Sequence, residues 1–263
     1  MPFTPSHAVV ALPFVRTPLV PSAIAIGAMT PDLPLFLRGV GPGYSFTHSF
    51  GNVLWTAVIA FGLFLLWRVV LRPAVSEFVP DTIARRLPAA WERGGWSAAR
   101  EAAGAGQAGA YPALLAVSLV AGVLSHIVWD LFTHEGRWGV QVLPWLAAQW
   151  GPLPGFRWLQ HGSSVVGLVV IALWALLWLR RRPVRPRLGR TLPRWARAAW
   201  WLSLPAVLAA ASAIGLALYG PLSAEFTVQH LAYRMLPPAC AIWGAGSLLL
   251  CCMLPAVRAH QQG

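Results

Sequence analysis

Residues 122–136 read Gly-Val-Leu-Ser-His-Ile-Val-Trp-Asp-Leu-Phe-Thr-His-Glu-Gly and close an apolar run that begins near Tyr111. The run has the ~20 residues that a transmembrane helix needs. On a helix His126, Asp130 and His134 fall four residues apart, so all three share one stripe. An ionisable group near the bilayer centre costs about 2.5–3.5 kcal/mol on insertion scales. The stripe is therefore expected to bind something, and a metal ion is the first expectation. At ~1.5 Å of rise per residue His126 and Asp130 lie about 6 Å apart along the axis, close enough to share one ion. His134 lies about 12 Å from His126 by the same rule, which assigns it to a second ion or to the end of the helix.

Outward from this stretch, the composition is that of a membrane protein. Hydrophobic residues make up 57% and charged residues 11%, with a mean hydropathy of +0.60. An ordinary soluble enzyme is excluded, because an average soluble domain has about 25% charged residues. The net charge of +12 comes entirely from arginine, there being no lysine. Most arginines fall in 68–110 and 180–197, between apolar runs, as cytoplasmic loops do under the positive-inside rule. They are expected to set topology and touch anionic lipid, and no nucleic-acid partner is expected. Asp81 and Glu92 read as ordinary surface charges. Cys240, Cys251 and Cys252 have no metal-binding or redox spacing.

The expected fold is all-α and polytopic, with about five full transmembrane helices near 51–71, 111–133, 162–179, 198–219 and 231–254. Residues 8–29 form two short apolar pieces broken by Pro13, Pro18 and Pro21, with Arg16 between them. A Pro-broken re-entrant hairpin fits them best; one interrupted span, giving six crossings, is the alternative. Surface helices are expected at 81–93 and at 139–150, where Trp138, Trp145 and Trp150 suit headgroup level. In domain terms, 1–180 is a membrane domain with a cytoplasmic connection at about 74–110. Residues 181–197 form an arginine-rich loop, and 198–263 a C-terminal helix pair.

Alternation of the spans brings the polar motifs to one membrane face. These are Ser6-His7, Thr47-His48-Ser49, Ser125-His126, Thr133-His134 and Gln160-His161-Gly162-Ser163-Ser164, joined by Asp32 and Asp130. Imidazole and carboxylate donors without cysteine suit zinc, with manganese as the alternative. His230 and His260 are expected to be structural or solvent-facing.

Together with the opening Met-Pro-Phe-Thr-Pro-Ser-His and with Pro31-Asp32-Leu33-Pro34, these motifs resemble a bacterial membrane family known as domain of unknown function 4184. That family is in turn distantly similar to inner-membrane metal-dependent hydrolases and to zinc-dependent phospholipase C. The resemblance implies a location in the bacterial cytoplasmic membrane, with metal ligands at His7, Asp32, His48, His126 and Asp130 and further candidates at His134 and His161. The soluble enzymes carry His-x3-Glu at their last ligand pair, whereas here His161 is followed by Val165. One or two ions are therefore expected rather than three. The expected activity is metal-dependent hydrolysis of a phosphoester or lipid headgroup. Asp32 would orient the water, and Arg137 or Arg157 would pair with the phosphate. The alternative is a non-catalytic scaffold, sensor or transport component holding a structural metal; oligomeric state is not legible.

Overall fold

The computed structural model describes residues 3–107, 109–186 and 189–262, the last four through their backbone alone. Met1 and Pro2 of the opening motif fall outside them. The fold is all-α, and among the described residues five helices are long and apolar enough to cross a membrane: Phe50–Phe78, Tyr111–Thr133, Gly155–Arg180, Arg194–Tyr219 and Val228–Arg258. The chain divides into two compact units.

The first unit comprises residues 1–34, 42–66 and 100–181. Its N-terminal hairpin has one 3₁₀ arm, Thr4–Phe14, and one α-helical arm, α1, Pro21–Met29. Prolines in the first turns of both arms are compatible with helix starts, where no N–H is needed. At ~2.0 Å per 3₁₀ residue and ~1.5 Å per α residue, the arms are about 22 and 14 Å long, short of a ~30 Å hydrocarbon core. Both ends of the hairpin reach the same helix: the His7 ring stacks 4.1 Å from that of His126, and Asp32 Oδ1 lies 3.6 Å from His126 Nε2. Residues 8–29 therefore turn back on themselves, which leaves five candidate spans among the described residues. Arg16 sits exposed at the tip.

The hairpin packs on α2, Val53–Leu66, and α3, Tyr111–Thr133, around Ala23, Phe64, Leu119 and Val123. Two glycines set its depth. A Cβ on Gly122 would lie 2.3 Å from the Ile24 carbonyl oxygen, and one on Gly27 would lie 2.5 Å from that of Leu119. The α1 and α3 backbones thus touch directly, as at small-residue contacts between membrane helices. Val20 N–H donates to Ser118 Oγ at 2.9 Å, fixing the tip end of α1 on the same helix. The 3₁₀ arm makes a similar approach to α4, Gly155–Arg180, where a Cβ on Gly167 would lie 3.0 Å from Ser6 O. Phe3 N–H donates to Ser164 Oγ nearby, at 2.9 Å.

Between α3 and α4 the expected helix at 139–150 is divided. Two short turns, Trp138–Val142 and Pro144–Ala147, are separated at Pro144, which cannot continue a helix. A two-residue antiparallel pair follows, β1 (Gln149–Trp150) with β2 (Leu153–Pro154), the only strands among the described residues. α4 begins at Gly155 rather than near 162. The Gln-His-Gly-Ser-Ser motif therefore lies on the helix and not ahead of it.

The second unit comprises residues 35–41, 67–99 and 182–263. Here the first span passes through a π-helical turn, Trp67–Leu71, ahead of Pro73. Proline supplies no N–H, and the irregular turn accommodates that loss. The helix expected at 81–93 is instead two turns, Asp81–Ala84 and Ala89–Glu92, interrupted before Pro88. Asp81 and Glu92 are exposed, as expected, and each is ion-paired: Arg190 and Arg197 lie 3.0 and 3.6 Å from Asp81, and Arg185 lies 2.6 Å from Glu92. The arginine segment is thus partly held within the unit. Glu77 is fully buried and accepts hydrogen bonds from Thr191 N, Leu192 N and Arg258, the last at 2.8 Å. The long helices α5, Arg194–Tyr219, and α6, Val228–Gln262, exchange tryptophan–serine bonds, Trp200 to Ser247 at 3.0 Å and Trp243 to Ser203 at 2.9 Å.

Candidate metal centre

The glycine contact between α1 and α3 has a chemical consequence four residues further along α3. It brings the Ala28 carbonyl to 2.7 Å from His126 Nδ1. A carbonyl oxygen only accepts, so Nδ1 carries the proton, and in a neutral imidazole Nε2 keeps its lone pair. His48 is arranged alike: its Nδ1 lies 3.0 Å from the Tyr44 carbonyl one turn earlier. The short helix Tyr44–Thr47 is tied down by Thr47, whose hydroxyl donates to Pro31 O at 2.8 Å. Both histidines therefore present Nε2, and the two Nε2 atoms are 3.2 Å apart. Two lone pairs at that distance repel unless a cation or a proton lies between them.

Carboxylates complete the surroundings. Asp130 Oδ2 lies 3.4 Å from His48 Nε2 and 3.5 Å from His126 Nε2. Asp32 Oδ1 lies 3.6 Å from His126 Nε2 and 3.9 Å from His48 Nε2. Donors bound tetrahedrally to zinc at ~2.0–2.1 Å are about 3.3–3.4 Å from one another. The His48–His126–Asp130 separations match three such edges. His7, Asp32 and His126 form a second set of donors within 4.8 Å of one another. The two sets share His126, whose single available lone pair serves one ion at a time.

The polar atoms left over support the fit. His7 Nε2, Asp32 Oδ1 and Asp130 Oδ1 are buried without a hydrogen-bond partner. Buried polar atoms are rarely unsatisfied, and three among these clustered side chains mark a place for a ligand. All five residues are at most 7% exposed, too buried for the unfilled valences to be met by bulk water. Either donor set is close enough to hold a divalent cation. Burial pushes His7 down to about 3, so it is neutral and able to act as a donor. Burial raises Asp32, opposed by His126 and by the hydrogen bond from Thr4.

Further contacts orient the donors, as residues behind metal ligands do. Thr4 Oγ1 donates to Asp32 Oδ2 at 2.6 Å and leaves Oδ1 facing the histidines. Tyr44 stacks on His48 with ring centroids 3.7 Å apart and its hydroxyl 3.5 Å from Asp130 Oδ2. Burial raises the Tyr44 phenol, which therefore stays protonated. Neither Thr4 nor Tyr44 is singled out by the sequence, although both sit inside or beside motifs that are.

His134 and His161 stand outside both donor sets. α3 ends at Thr133 and His134 is extended, so the distance rule for a continuous helix does not apply. Its Nδ1 comes back to 3.6 Å from Asp130 Oδ2, and Gln160 Nε2 lies 3.3 Å from its Nε2. Burial lowers His134 below its ordinary value. On α4 the inward stripe is Gln160 and Ser164; His161, one residue on, is rotated outward and exposed. Arg157 lines a separate open cavity of about 700 Å³ that contains none of the five donors. Arg137 immediately precedes the short helix Trp138–Val142.

No curated protein and no solved structure matches this chain. Residues 1–254 match the family model described as Domain of unknown function (DUF4184), and the chain belongs to that family.

Proposed function

We propose that the centre holds one divalent metal ion, zinc before manganese, and that the protein is a membrane-embedded metal-dependent hydrolase acting on phosphoesters. The observation that carries the metal is the pair of Nε2 lone pairs 3.2 Å apart, both Nδ1 atoms being committed to carbonyls. His48, His126 and Asp130 would be its ligands. Three protein ligands with one position left open is the pattern of catalytic zinc sites. Such an ion supplies Lewis acidity toward water and a phosphoryl oxygen. Asp32, across the His48–His126 edge, would take the proton from an attacking water, with Thr4 holding its other oxygen. His7, stacked on His126 and neutral, would fix the ring and bound the space beside Asp32.

One observation favours a non-catalytic centre instead: the donors are buried, and the large cavity of the same unit does not reach them. With Asp32 as fourth ligand the site would be closed and structural. Inductively coupled plasma analysis of purified protein separates these outcomes when paired with hydrolysis of a chromogenic phosphodiester. Metal near one equivalent, lost in His126→Ala and Asp130→Ala, with activity lost in Asp32→Asn at retained metal, supports hydrolysis. Metal lost in Asp32→Asn, with no turnover by the wild type, assigns the structural role. Wild-type protein purified without chelators and free of metal would remove both.

A further inference from the structure

The segment between α3 and α4 has a small fold of its own. Val140, Leu146 and Phe156 form a buried cluster flanked by Phe132, Leu143 and Leu159. Close backbone approaches hold it on the helix ends: a Cβ on Gly139 would lie 2.7 Å from Leu131 O, and one on Gly155 would lie 2.9 Å from Trp145 O. Its outer side exposes Trp138, Trp145, Trp150 and Trp158. Trp145 and Trp150 stack at 5.6 Å, and Trp158 Nε1–H donates to Trp150 O at 2.7 Å. Exposed tryptophans next to span ends mark the depth of lipid headgroups.

This segment lines the open cavity of about 700 Å³, the size of a small-molecule site. Its wall carries one guanidinium, Arg157, and one carboxylate, Glu135, together with Gln141, Gln149 and apolar residues. Among the described residues neither charge has an ion-pair partner, and the two do not pair with each other. Gln141 and Gln149 each donate Nε2–H to a backbone carbonyl, which leaves both Oε1 atoms as acceptors. A cavity at headgroup depth with one cation and one anion held apart complements a ligand that is itself zwitterionic.

We propose that this cavity binds the phosphoethanolamine headgroup of a membrane phospholipid. Arg157 takes the phosphate, as guanidinium does through paired hydrogen bonds. Glu135 and a glutamine Oε1 take the ammonium. Glu135 disfavours a purely anionic headgroup, and a choline headgroup brings no N–H donor for the acceptors around it. The cavity contains none of the five donors of the metal centre, so the proposal concerns lipid binding and does not rest on the hydrolase reading.

Native mass spectrometry of the full chain in detergent, with phosphatidylethanolamine, phosphatidylglycerol and phosphatidylcholine of matched acyl chains, tests it. The wild type is expected to retain the ethanolamine lipid first. Arg157→Gln should weaken retention roughly 10- to 100-fold, the range for losing a charged hydrogen bond. Glu135→Gln should remove the preference over the glycerol lipid, and Arg157→Lys should restore part of the binding. A wild-type preference for either other lipid, unchanged binding in Arg157→Gln, or equally tight binding of water-soluble phosphoethanolamine would overturn it. Metal content measured on the same samples keeps the two ideas apart. Lipid preference without metal leaves this proposal standing alone, and metal without lipid preference removes it.

Discussion

Substituting Gly122 by alanine tests how the hairpin builds the metal centre. The added Cβ would lie 2.3 Å from Ile24 O and 2.8 Å from Ala28 N, both backbone atoms that no rotamer change can move. Reaching ordinary contact at 3.4 Å requires α1 to retreat by about 1.1 Å, the difference between 3.4 and 2.3 Å. Carried through to Ala28, that motion lengthens its 2.7 Å bond to His126 Nδ1 to about 3.8 Å, past hydrogen-bonding range. Asp32, just beyond α1, retreats with it. Overpacking of this kind costs about 1–3 kcal/mol, and loss of a partner behind a metal ligand weakens metal about 10- to 100-fold. Gly62→Ala is the matched control, because a Cβ there meets nothing within 4 Å. Apparent thermal midpoints in detergent and competition with a fluorescent chelator give the two readouts. If Gly122→Ala and Gly62→Ala bind metal equally well, the hairpin does not set the ligand geometry as argued.

Three further outcomes are expected. Thr4→Val removes the 2.6 Å bond to Asp32 Oδ2 and should lower phosphodiester turnover about 10-fold at retained metal while costing the metal-free protein only about 1 kcal/mol; turnover assays with metal analysis, and thermal scans, decide. Glu77→Ala leaves Arg258 and two backbone N–H groups without their acceptor, and should cost about 3–5 kcal/mol, read as a lowered thermal midpoint at unchanged metal content. In metal-free protein His7 stays neutral down to about 3, whereas in the unfolded chain it protonates near 6.5. The unfolded state thus binds the extra proton between those values, so this contribution is complete above 6.5 and declines as pH falls toward 3. His7→Asn should flatten that part of the stability–pH curve.

The spans were legible because length and hydropathy alone define them, and the hairpin because prolines interrupt two pieces too short to cross. The pairing of His126 with Asp130 follows from helical spacing, and the convergence of His48 on it from span alternation. Other features depend on contacts between distant segments. Nothing local in Gly27 or Gly122 announces that their backbones meet, nor that the carbonyl of Ala28 decides which nitrogen of His126 is available. The outward turn of His161 followed from where α4 begins, and polar residues at 160–164 hid that start. His134 was placed by the rise of a helix that ends one residue before it. The partners of Asp81 and Glu92 likewise lie about a hundred residues away, in the arginine run.

The hairpin also imposes an order on manufacture. Ala28 and His126 are 98 residues apart in the chain. At roughly 5–20 residues per second, on the order of 5–20 s pass between synthesis of the first and of the second. During that interval His7 and Asp32 must wait at the membrane without the helix that shelters them. The candidate metal centre can close only when α3 arrives, so any metal would load at a late stage of biogenesis, and a chain truncated before residue 126 would carry the hairpin but no site.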